Sequence, residues 1–194
     1  MKCYDQPCES HNPYPDERRG AMDVGFETPL VLYRPPGLLT SAETGLVTHP
    51  KGDVYLVGAP FTLRWADDAT GPAGAPITVP AGFITDLTSV PAAFRAFISR
   101  AGPWLEAAVV HDYLYVAWQD VPVRGHLEQD RRFADDIMLA AMGESQVPPL
   151  TKWAIYWSVR AFGGGGFHRP DKLRYANCKD PTLARLSDAV TSPF

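Results

Sequence analysis

The chain has 194 residues, 45% of them apolar, with Lys+Arg 18 against Asp+Glu 22 and a formal net charge of −4. That length carries one domain with a substantial core, and the balance excludes a collagen-like chain, a disordered tail and a coiled coil. A net negative chain also argues against wrapping nucleic acid, which rests on neutralising phosphates with Lys and Arg.

In chain order, residues 1 to 28 are polar and turn-rich (His11-Asn-Pro13, Tyr14-Pro-Asp16, Arg18-Arg-Gly20) and read as a flexible arm. Met1 to Cys8 lacks the basic-then-apolar pattern of a signal peptide, and no apolar run approaches the roughly 18 residues of a membrane span, so the chain reads as soluble and unprocessed. From Pro29 to Phe83 short β-rich runs follow: Leu30-Val-Leu-Tyr33, Val54-Tyr-Leu-Val57, Phe61-Thr-Leu-Arg-Trp65 and Ile77-Thr-Val79. Pro and Gly clusters bound them, which predicts a small antiparallel sheet.

After Pro91 the period becomes helical. Ala92 to Arg100, Trp104 to Trp118, Leu127 to Met142 and Leu150 to Phe162 each repeat apolar residues three and four apart, with Pro103 and Pro149 where helix starts tolerate them. Strands first and helices after predict an α+β fold, a small antiparallel N-terminal sheet packed on about four C-terminal helices. The domain is expected over 29–163, between the arm and an irregular tail over 164–194 that holds one short helical stretch near Thr182 to Ala189. The Gly163-Gly-Gly-Gly166 run follows a helix instead of opening one, so it reads as a C-cap and hinge and not as a phosphate loop. Most of the 19 prolines lie before or at Pro91, in the arm and the sheet connections.

Three cysteines, Cys3, Cys8 and Cys178, cannot form a disulfide framework without leaving one over, and with His11 they fit no common zinc spacing. Charge is uneven: residues 151 to 185 hold seven bases against two acids, and residues 95 to 149 five bases against eight acids. No basic run is contiguous, so the basic end reads as a solvated face.

Three segments carry the candidate chemistry. In Ala81-Gly-Phe-Ile-Thr-Asp-Leu-Thr-Ser-Val-Pro91, Gly82 permits a tight turn, while Asp86 and Ser89 stand where they either cap the helix opened by Pro91 or project an acid/base group or metal ligand. In Ala107-Ala-Val-Val-His-Asp-Tyr-Leu-Tyr115, His111 and Asp112 interrupt an apolar helix, with Tyr115 one turn from His111. A buried ion there must be paired, hydrogen-bonded or metal-bound. In Asp130-Arg-Arg-Phe-Ala-Asp-Asp-Ile-Met138, Arg131 and Asp135 have the spacing of a surface ion pair worth a few tenths of a kcal/mol. Convergence of Asp86, His111, Asp112 and Asp135 would make a first shell for a divalent metal such as zinc, which activates water for hydrolysis. A Ser89–His111–Asp triad lacks its Gly-x-Ser-x-Gly elbow, and no HExxH occurs.

These segments resemble a family of phage and prophage proteins known only as a domain of unknown function. Its signature is similar to Gly82-Phe-Ile-Thr-Asp-Leu-Thr-Ser-Val-Pro91, Ala108-Val-Val-His-Asp-Tyr-Leu-Tyr115, Arg131-Arg-Phe-Ala-Asp-Asp-Ile-Met138 and Val159-Arg-Ala-Phe-Gly163. The likeness covers about residues 55 to 163, with Thr88 in place of the usual Ala and Met138 in place of the usual Phe. It implies a virion protein, made in the bacterial host cytoplasm and carried at the phage tail, with other phage structural proteins as partners in a symmetric assembly. Gly82, Ser89, Pro91, Tyr113, Tyr115, Arg131 and Arg160 are then motif residues with structural roles. The alternative is a metal-dependent hydrolase acting on cell-wall peptide or glycan through Asp86, His111, Asp112 and Asp135. Comparison with metal phosphohydrolases bearing a His-Asp doublet fails on the missing upstream helical His, since His11 and His49 lie in the arm and the β region.

Overall fold

A computed structural model of the chain describes residues 12–16, 22–34, 39–40, 47–48, 54–67, 73–87, 102–171 and 174–176. Ser89, Pro91, the expected helix over 92–100, the three cysteines and the expected helical stretch near 182–189 lie outside the described residues.

The fold is α+β, with strands in the N-terminal half and helices in the C-terminal half. One antiparallel sheet runs in the order β1 (Asp23–Phe26), β6 (Phe61–Ala66), β7 (Ile77–Val79). A second runs β2 (Leu32–Tyr33), β5 (Tyr55–Val57), β8 (Ile84–Thr85). A two-stranded pair, β3 (Leu39–Thr40) with β4 (Val47–Thr48), stands beside them in the chain order. The helices are α1 (Leu105–Val116), α2 (Glu128–Glu144), α3 (Pro149–Phe162) and the single turn α4 (Gly164–Phe167), with a 3-10 turn over Ala117–Asp120 after α1.

In β6 alternation decides the faces: Phe61, Leu63 and Trp65 are buried while Arg64 is exposed, as a period of two requires when one sheet face meets a core. Register pairs Leu63 with Phe26 on one side and Ile77 on the other, so the inward row is continuous across three strands. That row packs on α1 and α2, where Val110, Leu114, Phe133, Ile137 and Met138 join the same core. Consecutive residues Ala107 to His111 of α1 are all buried, which marks α1 as a central helix with no wet stripe along that stretch. Whatever polar group α1 carries there must therefore find its partners inside the protein.

Two differences from the sequence reading concern the ends. Residues 23–26, within the stretch read as an arm, pair as β1 with β6, and Tyr14 is 3% exposed with its hydroxyl donating to the Leu114 carbonyl. Arg124 seals this docking: its guanidinium lies 5.0 Å over the Tyr14 ring and makes two bonds, 2.7 and 2.8 Å, to the buried Asp130 carboxylate. At the other end the glycine run does not break the helical path. Gly163 stays right-handed (φ −71, ψ −17), and α4 closes on Phe167, whose fully buried ring meets Tyr115 edge-on at 5.3 Å. Residues 174–176 then return to the sheet, with Phe83 bridging Tyr175 and the Ala176 N–H donating to the Gly82 carbonyl.

Candidate functional site

The motif residues meet where α1, α2 and α3 face one another. Asp135 of α2 is 0% exposed and is the hub. Its Oδ1 lies 2.8 Å from His111 Nε2 and accepts a 2.7 Å bond from the Tyr115 hydroxyl, both from α1. Its Oδ2 accepts a 2.7 Å bond from an Arg160 amino group of α3, with an Arg131 amino group 3.8 Å away. Helical spacing makes this possible, because His111 and Tyr115 lie four apart on one face of α1, one above the other.

Arg131 and Glu128, three apart on α2, form a two-bond pair at 2.8 and 2.7 Å, and Arg131 donates onward to the Arg160 carbonyl at 3.2 Å. The expectation of a weak surface pair between Arg131 and Asp135 is corrected: both are buried because α3 covers that face of α2, and Asp135 takes its short bond from Arg160. On the far side of His111, Asp112 accepts a 2.5 Å bond from Thr85 of β8, and its Oδ1 stands 3.9 Å from His111 Nδ1. Thr85, not Asp86, faces the site. Ile84 and Thr85 of β8 are both buried, and Asp86, just past the end of the strand, is exposed. Of the four residues expected to converge, the structure brings together His111, Asp112 and Asp135.

The remaining motif residues hold this centre in place. Gly82 has φ +85, a left-handed conformation that favours glycine, and its N–H donates to Val57 across the turn at 2.7 Å. Tyr113 packs edge-on against Phe83 at 5.6 Å. A side chain on Gly163 would stand 2.5 Å from the Val159 carbonyl and 2.6 Å from the Tyr115 hydroxyl, so glycine is what lets the end of α3 approach the hydroxyl that serves Asp135. Thr85 and Glu128 are the contributors that sequence reasoning missed. Their signal was positional, one residue before Asp86 and one turn before Arg131.

Electrostatics follow from this packing. For Asp135, burial disfavours the charge, but the bonds from His111, Tyr115 and Arg160 prevail and hold its pKa below the ordinary carboxylate value. For His111, burial opposes protonation, yet Asp112 and Asp135 on either side prevail and raise its pKa above the usual 6.5. Burial first, and then the charge of Asp135, push the Tyr115 phenol far up, so it remains a proton donor. The bond between them lowers the Glu128 pKa and raises that of Arg131. With His111 protonated, three cations (His111, Arg131, Arg160) balance three carboxylates (Asp112, Glu128, Asp135). His111 and Asp135 are the fully buried members of this set, while Glu128 reaches solvent at 59% exposure.

Chemically the arrangement is closed. His111 Nε2 and both Asp135 oxygens already have partners, and His111 Nδ1 is buried without a hydrogen-bond partner. Among the described residues no group of three or more His, Cys, Asp or Glu side chains is placed to hold a metal ion. No described helix is long and apolar enough to cross a membrane. Neither a curated protein nor a solved structure matches the chain. Residues 63–159, which run from β6 into α3 and contain every member of the polar centre except Arg160, match the family described as Protein of unknown function (DUF1353), and the chain belongs to that family.

Proposed function

We propose that this chain is a structural component of a tailed-phage particle, located at the tail, and that its shared polar motif locks sheet and helices together instead of performing a reaction. The observation that carries the reading is the occupancy of Asp135, whose two oxygens are held by α1 on one side and α3 on the other. A metal ligand needs an open position, whereas a lock needs both carboxylate oxygens engaged. The phage context comes from the resemblance of the Gly82–Pro91, Ala108–Tyr115, Arg131–Met138 and Val159–Gly163 segments. Partners in this reading are other particle proteins.

Protein mass spectrometry of purified particles tests it. The chain is expected at fixed stoichiometry in the virion, and an Asp135→Ala phage is expected to give particles that lack it. A metal-dependent cell-wall hydrolase is the second reading, and one observation favours it: the buried Nδ1 of His111, with the Asp112 carboxylate 3.9 Å away and partly open to solvent. Absence of the chain from particles, together with peptidoglycan cleavage that needs a divalent ion and is lost in Asp112→Ala, would replace the structural reading with this one.

A further inference from the structure

We propose that His126 and His168 form a surface site for a divalent transition-metal ion of the kind that imidazole binds, zinc being its representative. One stands just before α2 and the other just after α4, yet their ring centres are 4.9 Å apart with planes at 63°. An ion lies about 2.0–2.1 Å from an imidazole nitrogen and so roughly 3.2 Å from the ring centre. Two rings on one ion, at angles between about 90° and 109°, then have centres ~4.5–5.2 Å apart. The spacing of His126 and His168 falls inside that range. Both residues are exposed, and among the described residues no hydrogen bond or ion pair engages either ring. Each neutral imidazole therefore keeps a lone pair to offer.

The pair is held in place from both sides. Trp118 meets the His126 ring edge-on at 5.4 Å, and its indole N–H donates at 3.2 Å to the carbonyl of Phe167, the residue before His168. Phe167 is fully buried, and its ring packs against His168 at 5.6 Å. His168 also closes α4, its N–H donating to the Gly164 carbonyl at 3.1 Å. On the other side, the turn that delivers His126 passes through Val123 at φ +64, a conformation that a β-branched residue rarely adopts. Strain of this kind persists only where the surroundings hold it, and here Arg124, bound twice to Asp130, anchors the turn. Ligands fixed before the ion arrives lose little freedom in binding it. Two imidazoles leave the other positions to water and select late transition metals, since Mg²⁺ and Ca²⁺ seek oxygen ligands. An ion shared by the two rings ties the turn before α2 to the end of α4, so it stabilises the folded chain over the unfolded one.

This site depends on neither reading of the function, and its test uses the purified full chain with Zn²⁺ alone, at about pH 7.5 so that imidazole is neutral. Calorimetric titration is expected to show a saturable site, which His126→Ala and His168→Ala each weaken by about tenfold or more. Mg²⁺ in place of Zn²⁺ is expected to give no binding. Zn²⁺ is also expected to raise the urea midpoint of the parent chain and to leave that of either variant where it was. His126→Phe keeps an aromatic ring against Trp118 while removing the ligand, so it separates coordination from packing: it should fold as the parent does and lose the response to Zn²⁺. A parent chain that binds no Zn²⁺ overturns the proposal and leaves the two rings as an aromatic contact only. Binding of equal strength in the parent and both alanine variants overturns it as well, by placing the ion elsewhere, at the cysteines or at His111. So does a His126→Phe chain whose midpoint still rises with Zn²⁺.

Discussion

His111 and Asp135 have opposite pH dependences although they share a hydrogen bond. The folded pKa of His111 is raised, so its contribution is fully present below about 6.5 and is lost as pH rises through the folded value. The folded pKa of Asp135 is lowered, so its contribution is present above about 3.9 and is lost as pH falls through the folded value. Stability should therefore be greatest in weak acid, between those limits. Urea midpoints measured across pH are expected to decline on the alkaline side in the parent chain. In His111→Gln, which does not titrate, that alkaline decline should flatten even though the variant is less stable throughout. An unchanged slope above neutral pH would mean that His111 is not protonated between Asp112 and Asp135.

At the scale of elements, Gly163 links the end of α3 to Tyr115 of α1. Gly163→Ala would bring a methyl group to 2.5 Å from the Val159 carbonyl and 2.6 Å from the Tyr115 hydroxyl, so an overpacking cost of about 1–3 kcal/mol is expected in thermal or urea unfolding. Part of that cost comes from pushing the hydroxyl off Asp135. The same substitution should then cost less in a Tyr115→Phe background, a coupling that a double-mutant cycle measures. Full additivity would show that the glycine does not act through Tyr115.

Periodicity made most of these elements legible. The three long helices appear within two residues of their observed ends, because each repeats apolar residues over three turns or more. The strands β2, β5 and β7 lie inside runs that alternate or are bounded by Pro and Gly, and β6 extends its run by one residue, Ala66. By contrast β3, β4 and β8 are two residues long and, unlike β2, do not lie within a longer apolar run bounded by Pro or Gly that reads as a strand, and β1 is a short polar-flanked stretch that only its pairing with β6 identifies. Within the centre, His111, Asp112 and Asp135 were legible as polar residues in apolar helices. Thr85 and Glu128 were not, because strand facing selects the first and the covering helix α3 sets the value of the second.

Over the whole molecule, both ends of the described chain are stapled to the helical core by aromatic side chains with polar tips. Tyr14 docks under Arg124 and donates to Leu114, while Tyr175 donates to Asp120 at 2.6 Å and Arg174 joins the same carboxylate at 2.8 Å. Tyr14→Ala is expected to lower stability by about 3 kcal/mol, the scale of a large aromatic lost from a core. A change below about 0.5 kcal/mol would mean that the segment rests on the surface without contributing to the fold. With these staples in place, α3 carries four of the exposed large apolar side chains, Leu150, Trp153, Trp157 and Phe162, and the centre beneath it serves to hold that helix in position.

Denaturant unfolding of Asp135→Asn near pH 6 is the measurement that tests the lock most directly. The substitution keeps the shape and removes one charge from a centre with three cations and three carboxylates. It leaves His111 and Arg160 facing a neutral amide in a buried site. The expected result is a loss of about 3–5 kcal/mol, read as a lower midpoint with an unchanged slope. Stability within about 0.5 kcal/mol of the parent would contradict the account, because a carboxylate that locks three helices cannot be neutralised without cost.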